Sequence, residues 1–333
     1  GTGRIIVIGG VLYAFGLYLM GNSSNPSSFH LSAGLIIGMA QSGCALAVIL
    51  GAVARALPEK KRSWGLGIVM AAGGVGQFTV VPLSQIFLDI FNWSNSLLIL
   101  AMSAILIIFC AIPLRNKINQ ACDNQTNVSS EAISIGEAFK EAATHKGFWL
   151  LTAGFFVCGF HVAFIGIHLP AYLSDTGMPA STGALALSMI GIFNILGSYC
   201  AGVLGDKFSK KSLLSFLYLT RAVVILIFII TPVTLASVLV FSSFIGLLWL
   251  STVPLTSGLV AQIFGTRFMG TLFGIVFLSH QIGSFIGVWI AGYLYDYFGS
   301  YMPVWWGGII LGVGAALIHW PINEKRFIRI AQT

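Results

Sequence analysis

The chain has 333 residues, of which 57% are hydrophobic and only 8% charged, and its formal net charge is +7. Its mean hydropathy is +0.92, whereas soluble domains carry about 25% charged residues, so an ordinary water-soluble core is excluded. The basic residues are spread over several short segments with no aromatic-interleaved patch, which excludes nucleic acid as the partner and points to the lipid bilayer.

In chain order, ten continuously apolar runs predict membrane spans at about 5–21, 31–54, 65–88, 94–114, 147–170, 182–204, 213–232, 237–263, 270–294 and 303–321. A helix needs roughly 20 residues to cross the hydrocarbon. The runs lack the two-residue alternation of barrel strands. The fold class expected is therefore an all-α polytopic membrane protein.

Charge placement orients these spans. Arg4, Arg55, Lys60, Lys61, Arg62, Arg115, Lys117, Lys140, Lys146, Lys207, Lys210, Lys211, Arg267, Lys325, Arg326 and Arg329 all fall in the connections of one side. The opposite connections, about 22–30, 89–93, 171–181, 233–236 and 295–302, hold no Lys or Arg. By the positive-inside rule the first side is cytoplasmic. The chain start, central linker and C-terminus are then expected inside, in a plasma or inner membrane.

Residues 115–146 form the only long polar stretch. They predict a cytoplasmic linker between a four-helix bundle at 1–114 and a six-helix bundle at 147–333. Within the linker, Ser134 suits the N-cap of a short amphipathic helix through Ile135, Ala138 and Phe139 on the membrane surface; a flexible linker reads equally well. Cys44, Cys110, Cys122, Cys158 and Cys200 show no CxxC pair or metal-like spacing, so all but Cys122 read as intramembrane packing residues. No cofactor or metal is expected. The sequons at Asn124 and Asn127 fall in the cytoplasmic linker, and they carry no weight, nor does the one at Asn22. Small residues at Gly34, Gly38 and Ser42, and at Gly283, Gly287 and Ala291, permit close helix approach. The Gly73, Gly74, Gly76 cluster lies inside a span without a following Lys-Ser/Thr, so it is not a phosphate loop.

Arg221 is the only charge in the run Leu213–Pro232. A guanidinium in hydrocarbon costs several kcal/mol, from about 2.5 upward, unless it meets a polar cavity or partner. Two roles fit: substrate contact, or a structural role on helix-end carbonyls or through snorkelling. Tyr218, three residues earlier, shares its face, and His280 sits at a similar depth, where an imidazole can also carry a proton. His161 falls in the outer half, and His168 near the outer surface. Gln41, Gln77, Asn194 and Gln281 are the intramembrane amides, residues that more often bond between helices than to a ligand. No Asp or Glu lies within the hydrocarbon of any span. That excludes a carboxylate proton relay built from these residues and favours an anionic substrate, for which a carboxylate matches the guanidinium fork.

After the span at 182–204 comes Gly202-Val-Leu-Gly205-Asp206-Lys207-Phe-Ser-Lys210-Lys211. Asp206 at this helix end can accept from a neighbouring helix N-terminus and pair with Lys207 or Lys210, contacts that bias a two-state equilibrium. The segment resembles the Gly-x-Leu-Ala-Asp-Arg loop of the major facilitator superfamily, with Lys207 for Arg and Ser209 for Gly. Pro58–Gly67, Gly73–Gln77, His161–Tyr172, Met269–Ser284 and Gly292–Tyr301 are similar to its monocarboxylate-porter and oxalate/formate-exchanger branch. The resemblance implies twelve helices in two halves. The opening Gly1-Thr2-Gly3-Arg4 looks like the tail of the first half's own loop, so two preceding helices are expected to be missing.

It further implies a secondary transporter of a small organic anion, proton- or anion-coupled, with Gly202, Asp206, Lys207, Lys210 and Lys211 as a conformational gate. An exporter of amphiphilic or drug-like molecules is the alternative. No nucleophile–base pair, zinc spacing or nucleotide loop supports catalysis.

Overall fold

In the computed structural model, residues 2–111 and 135–326 are described. The expected contributions of Arg115, Lys117, Cys122, Asn124, Asn127, Ser134 and Arg329 lie outside them. Among the described residues, ten helices have the length and composition to cross a membrane. We number them with one shorter helix in chain order: α1 Gly3–Gly21, α2 Pro26–Ala56, α3 Glu59–Ile90, α4 Trp93–Ala111, α6 Lys146–Asp175, α7 Ala180–Lys207, α8 Lys210–Ile230, α9 Leu235–Phe264, α10 Met269–Phe298 and α11 Met302–His319, with α5 at Ile135–Thr144. Helices dominate because hydrocarbon offers backbone amides no partner outside their own segment. Several spans run a few residues past the hydropathy limits, since polar turns such as Glu59–Lys61 continue the helix beyond its apolar part.

Local chemistry sets the ends. Asn25 accepts from the Ser28 N–H at 2.8 Å to start α2, Asn92 accepts from the Asn95 N–H at 2.9 Å to start α4, and Thr234 accepts from the Ser237 N–H at 3.1 Å to start α9; each is an N-cap. The short helix α5 buries Ala138 and Ala142 while leaving Ile135 and Phe139 exposed, so the three residues expected on one apolar face divide between two environments.

Contacts gather the described residues within Gly1–Ala56 and Pro82–Ala132 into one unit, and those within Leu57–Val81 and Ile133–Thr333 into a second. In the first, Leu17 of α1 packs with Leu97, Ala101 and Ala104 of α4. In the second, α6 packs on α10, α7 on α9, and α8 on α11. Its core holds an aromatic cluster in which Phe228 stacks on Phe241 at 4.0 Å and Phe164 meets Trp305 edge-on at 4.7 Å. Large side chains on the outer faces stay exposed, among them Phe285 and Ile310, as a lipid-facing surface requires.

The span expected as one helix at 237–263 is two, Leu235–Leu248 and Thr252–Phe264. Pro254 explains the break: it has no N–H for the Leu250 carbonyl, and its ring crowds the turn before it.

Candidate functional site

The break in α9 frees backbone groups inside the second unit, where an unpaired one costs several kcal/mol, and several of them find partners. The Ser251 hydroxyl donates to the Leu247 carbonyl at 2.6 Å. Arg221 Nη2 donates to the carbonyls of Leu248 and, at 2.9 Å, Trp249. The Leu250 N–H donates to Asn194 Oδ1 at 3.1 Å, and the Leu250 carbonyl accepts from the Val253 N–H at 3.0 Å. Arg221 thus faces the negative end of the first half-helix, a favourable place for a cation. α7 reaches the break because Gly197 lies directly against the Leu247 carbonyl, where a Cβ has no room.

Arg221 is only 1% exposed, and its Nε and Nη1 have no protein partner. Its guanidinium carbon stands 5.6 Å from the centre of the Tyr218 ring. That ring stacks in turn on buried His319 at 5.0 Å, and the Tyr218 hydroxyl, without a hydrogen bond of ordinary geometry, interacts with Thr252 and Cys158. Cys158 of α6 lies 3.2 Å from the Thr252 hydroxyl and interacts with both His280 and Arg221. Around Cys158, three other helices therefore place a cation, an imidazole, a phenol and a hydroxyl in a buried interior.

The other expected residues divide. The His161 Nε2 is bonded to the Gly308 carbonyl at 2.7 Å, tying α6 to α11. The His280 Nδ1 meets Gln281 Oε1 at 3.1 Å, and Gln281 itself is exposed. Gln77 of α3 donates to the Leu187 carbonyl at 3.4 Å, an interhelical bond. Gln41 is exposed on α2, in the first unit.

A second polar group lies at the α7–α8 turn. Both Asp206 oxygens accept backbone N–H bonds at the start of α3, from Ser63 at 3.0 Å and Trp64 at 2.9 Å. The contact is close because Gly202 meets Gly67 backbone to backbone: a Cβ on Gly202 falls 2.7 Å from the Ser63 carbonyl oxygen. The expected pairing of Asp206 with Lys207 or Lys210 is not how its oxygens are used. Lys210 Nζ donates instead to Gln262 Oε1 at 2.9 Å, Lys211 Nζ donates to the Trp320 carbonyl at 3.1 Å, and Lys207 is exposed.

Glu324, beyond α11, takes the corresponding place on α8. It accepts from the Lys211 N–H at 2.5 Å and the Ser209 hydroxyl at 3.2 Å, while its own carbonyl accepts from Gln262 at 3.0 Å. Two helix starts, those of α3 and α8, are thus closed by carboxylates from elsewhere in the chain. A cleft of about 970 Å³ opens among Lys60, Lys61, Asp206, Lys207, Lys210 and Glu324. Just outside the spans, burial pushes the His145 imidazole below its ordinary titration range.

Comparison with known proteins decides the family. The Major Facilitator Superfamily profile matches residues 1–288. The chain belongs to the Major Facilitator Superfamily. This is a family of transporters rather than enzymes, and the chain is accordingly a multi-pass membrane protein. Among curated relatives, Monocarboxylate transporter 12 of Rattus norvegicus is 24% identical over 324 residues, covering 89% of this chain and 66% of its own length. Monocarboxylate transporter 13 of the same species is 25% identical over 333 residues, covering 96% of this chain and 74% of its own. The chain thus spans about two thirds of the length of the first of these relatives. The E. coli fucose:proton symporter FucP shares the fold, with a TM-score of 0.66 at 19% identity over 96% of this chain and 83% of that one.

For a facilitator-family bundle, three features escaped the sequence reading. Pro254 was a visible signal for the α9 break. Cys158 was set aside as packing, and Glu324 lies past the last span, where hydropathy carries no information.

Proposed function

We propose that this facilitator-family chain moves a small organic anion, a monocarboxylate or related carboxylate, by alternating access. The observation that carries the reading is Arg221, buried with two donors uncommitted in a protein whose described carboxylates all lie at span ends or beyond them. Helix-end carbonyls hold one nitrogen of this guanidinium, and an incoming carboxylate supplies acceptors for the others. Tyr218 and His280 line the same cluster, with Asn194 holding the broken helix in place beside it. The names of the relatives, monocarboxylate transporters, agree with that substrate class.

In this reading the halves are 1–114 and 147–333, joined by the linker at 115–146. The Asp206 bonds to Ser63 and Trp64 are the gate, formed in one state and released in the other. Gly202 permits the approach, and Lys210 and Lys211 hold the turn that carries Asp206. Lys207 stays free at the cleft to meet charge that changes between states. The Lys/Arg-bearing ends are placed in the cytoplasm. Coupling to a proton or to a counter-anion balances the charge moved.

The test is uptake into proteoliposomes of radiolabelled lactate, acetate and oxalate, set beside export of a lipophilic dye. Saturable carboxylate uptake that unlabelled carboxylate suppresses supports the reading. Dye export without carboxylate uptake in any mode refutes it and leaves the exporter.

A further inference from the structure

His280 differs from the other imidazoles buried in the second unit. The His161 ring is bonded to the Gly308 carbonyl, that of His319 to the Ala315 carbonyl at 2.7 Å, and that of His168 to both Tyr301 at 3.3 Å and the Val288 carbonyl at 3.1 Å. Each is fixed to backbone between or within helices, and His161 and His319 are sealed at 1% and 0% exposure. His280 makes no bond to backbone among the described residues. Its Nδ1 meets Gln281 Oε1 at 3.1 Å and the Ser284 hydroxyl at 3.5 Å. An amide oxygen there assigns the N–H to Nδ1. The lone pair is then on Nε2, which is buried with no hydrogen bond of ordinary geometry, the Cys158 thiol being the side chain that engages the ring. The ring lies parallel to Phe277 at 5.2 Å and 4.9 Å from Phe155, and aromatic faces favour an imidazolium. Its neighbour Gln281 is exposed, one residue from the surface of the bundle.

The ionisable group that engages it is Cys158 of α6, which in turn engages Arg221 and Tyr218 of α8 and the Thr252 hydroxyl of α9; His161 of α6 interacts with Arg221, and His319 of α11 stacks on Tyr218. None of these is a carboxylate. We propose, resting on the anion reading above, that His280 Nε2 is the proton-binding site of the transporter, loaded together with the anion held at Arg221. The physical link is charge. Arg221 is a fixed cation without a buried carboxylate, and a second cation on His280 in the same low-dielectric cluster is opposed. A bound monoanion removes that opposition, and a bound proton strengthens the hold on the anion by reciprocity. One proton taken from water on one side and returned to water on the other accompanies each monoanion, so the cycle moves no net charge.

The experiment uses the full chain in proteoliposomes with radiolabelled lactate as probe and an internal pH dye. In the wild type, uptake at external pH 5.5 exceeds that at pH 7.5 by about tenfold, the direction expected when a proton and the anion load together, and the lumen acidifies as lactate enters. In His280→Gln the ratio falls to near one and acidification is lost in whatever exchange rate the variant retains. A tenfold ratio persisting in His280→Gln overturns the proposal. If that variant does not insert, Gln281→Leu decides, since removing the Nδ1 acceptor must move the midpoint of the pH profile, and an unmoved midpoint overturns it as well. A wild type that exchanges lactate briskly with no pH ratio overturns the proton site while leaving the anion reading intact. A wild type that moves no carboxylate in any mode overturns both.

Discussion

Asp206 uses both carboxylate oxygens to accept the backbone N–H groups of Ser63 and Trp64, at 3.0 and 2.9 Å. The bond joins positions 142 and 143 residues apart, so it reports on the packing of α3 against α7 and not on local helix chemistry. Asp206→Ala leaves two N–H groups at the start of α3 without their acceptor. The expected loss is about 1–2 kcal/mol, the usual range for deleting an N-cap, together with loss of transport. Thermal unfolding in detergent beside uptake checks it, and unchanged values for both would remove Asp206 from the gate.

Gly202→Val tests the same contact from the backbone side. Its Cβ alone falls 2.7 Å from the Ser63 carbonyl oxygen and 3.0 Å from Gly67 Cα, so α3 must move away. The variant should insert but expose a cysteine placed at Ser63, a buried position where it adds no new Cβ, to water-soluble thiol reagents. Protection at that position equal to the parent would show that the seam tolerates the side chain.

At Arg221, binding and structure separate by their readouts. Arg221→Gln leaves the Leu248 and Trp249 carbonyls with a neutral donor, costing about 1–3 kcal/mol for buried groups poorly satisfied. It should also abolish the thermal shift produced by saturating lactate. Arg221→Lys keeps the charge, loses the fork, and should bind more weakly. A full lactate shift in Arg221→Gln would reassign Arg221 to the helix break alone.

Asn194 and Pro254 should be energetically coupled. Asn194→Ala orphans the Leu250 N–H at a cost of about 1–3 kcal/mol. Pro254→Ala restores an N–H able to reach the Leu250 carbonyl, so the helix can run through and Asn194 matters less. A double-mutant cycle should give a coupling of about 0.5–3 kcal/mol. Strict additivity would mean that the break has a cause other than Pro254.

Sidedness is open to direct labelling. Single cysteines at Lys60, Lys140, Lys210 and Lys325 should resist an impermeant reagent on intact cells, whereas those at Asn25 and Asp175 should react. Efficient labelling at 60 or 210 would invert the orientation drawn from the positive-inside rule.

How much of this was legible in the sequence depends on the range of each interaction. Ten spans were readable because apolar length is a local property. Arg221 stood out because a lone cation in an apolar run is costly wherever it goes, and Asp206 because it ends a patterned turn. The partner of each was not readable. Nothing near Arg221 in sequence names Leu248, 27 residues away, and nothing near Asp206 names Ser63. Asn194 read as one amide among four, and only the broken helix gives it a distinct task. Cys158 was discounted because a lone thiol in a span is usually packing; its significance comes from Thr252, His280 and Arg221, contributed by three other helices.

The short segment after α11 also bears on how reporters are attached. Ile322 is fully buried, and Glu324 closes the start of α8 while its carbonyl engages Gln262. A fluorescent domain spliced on directly after His319 would strip those bonds and load a bulky body onto the turn that carries Asp206. One joined after Arg326 leaves the fastening intact, so the two fusions would give different readings of a single transporter.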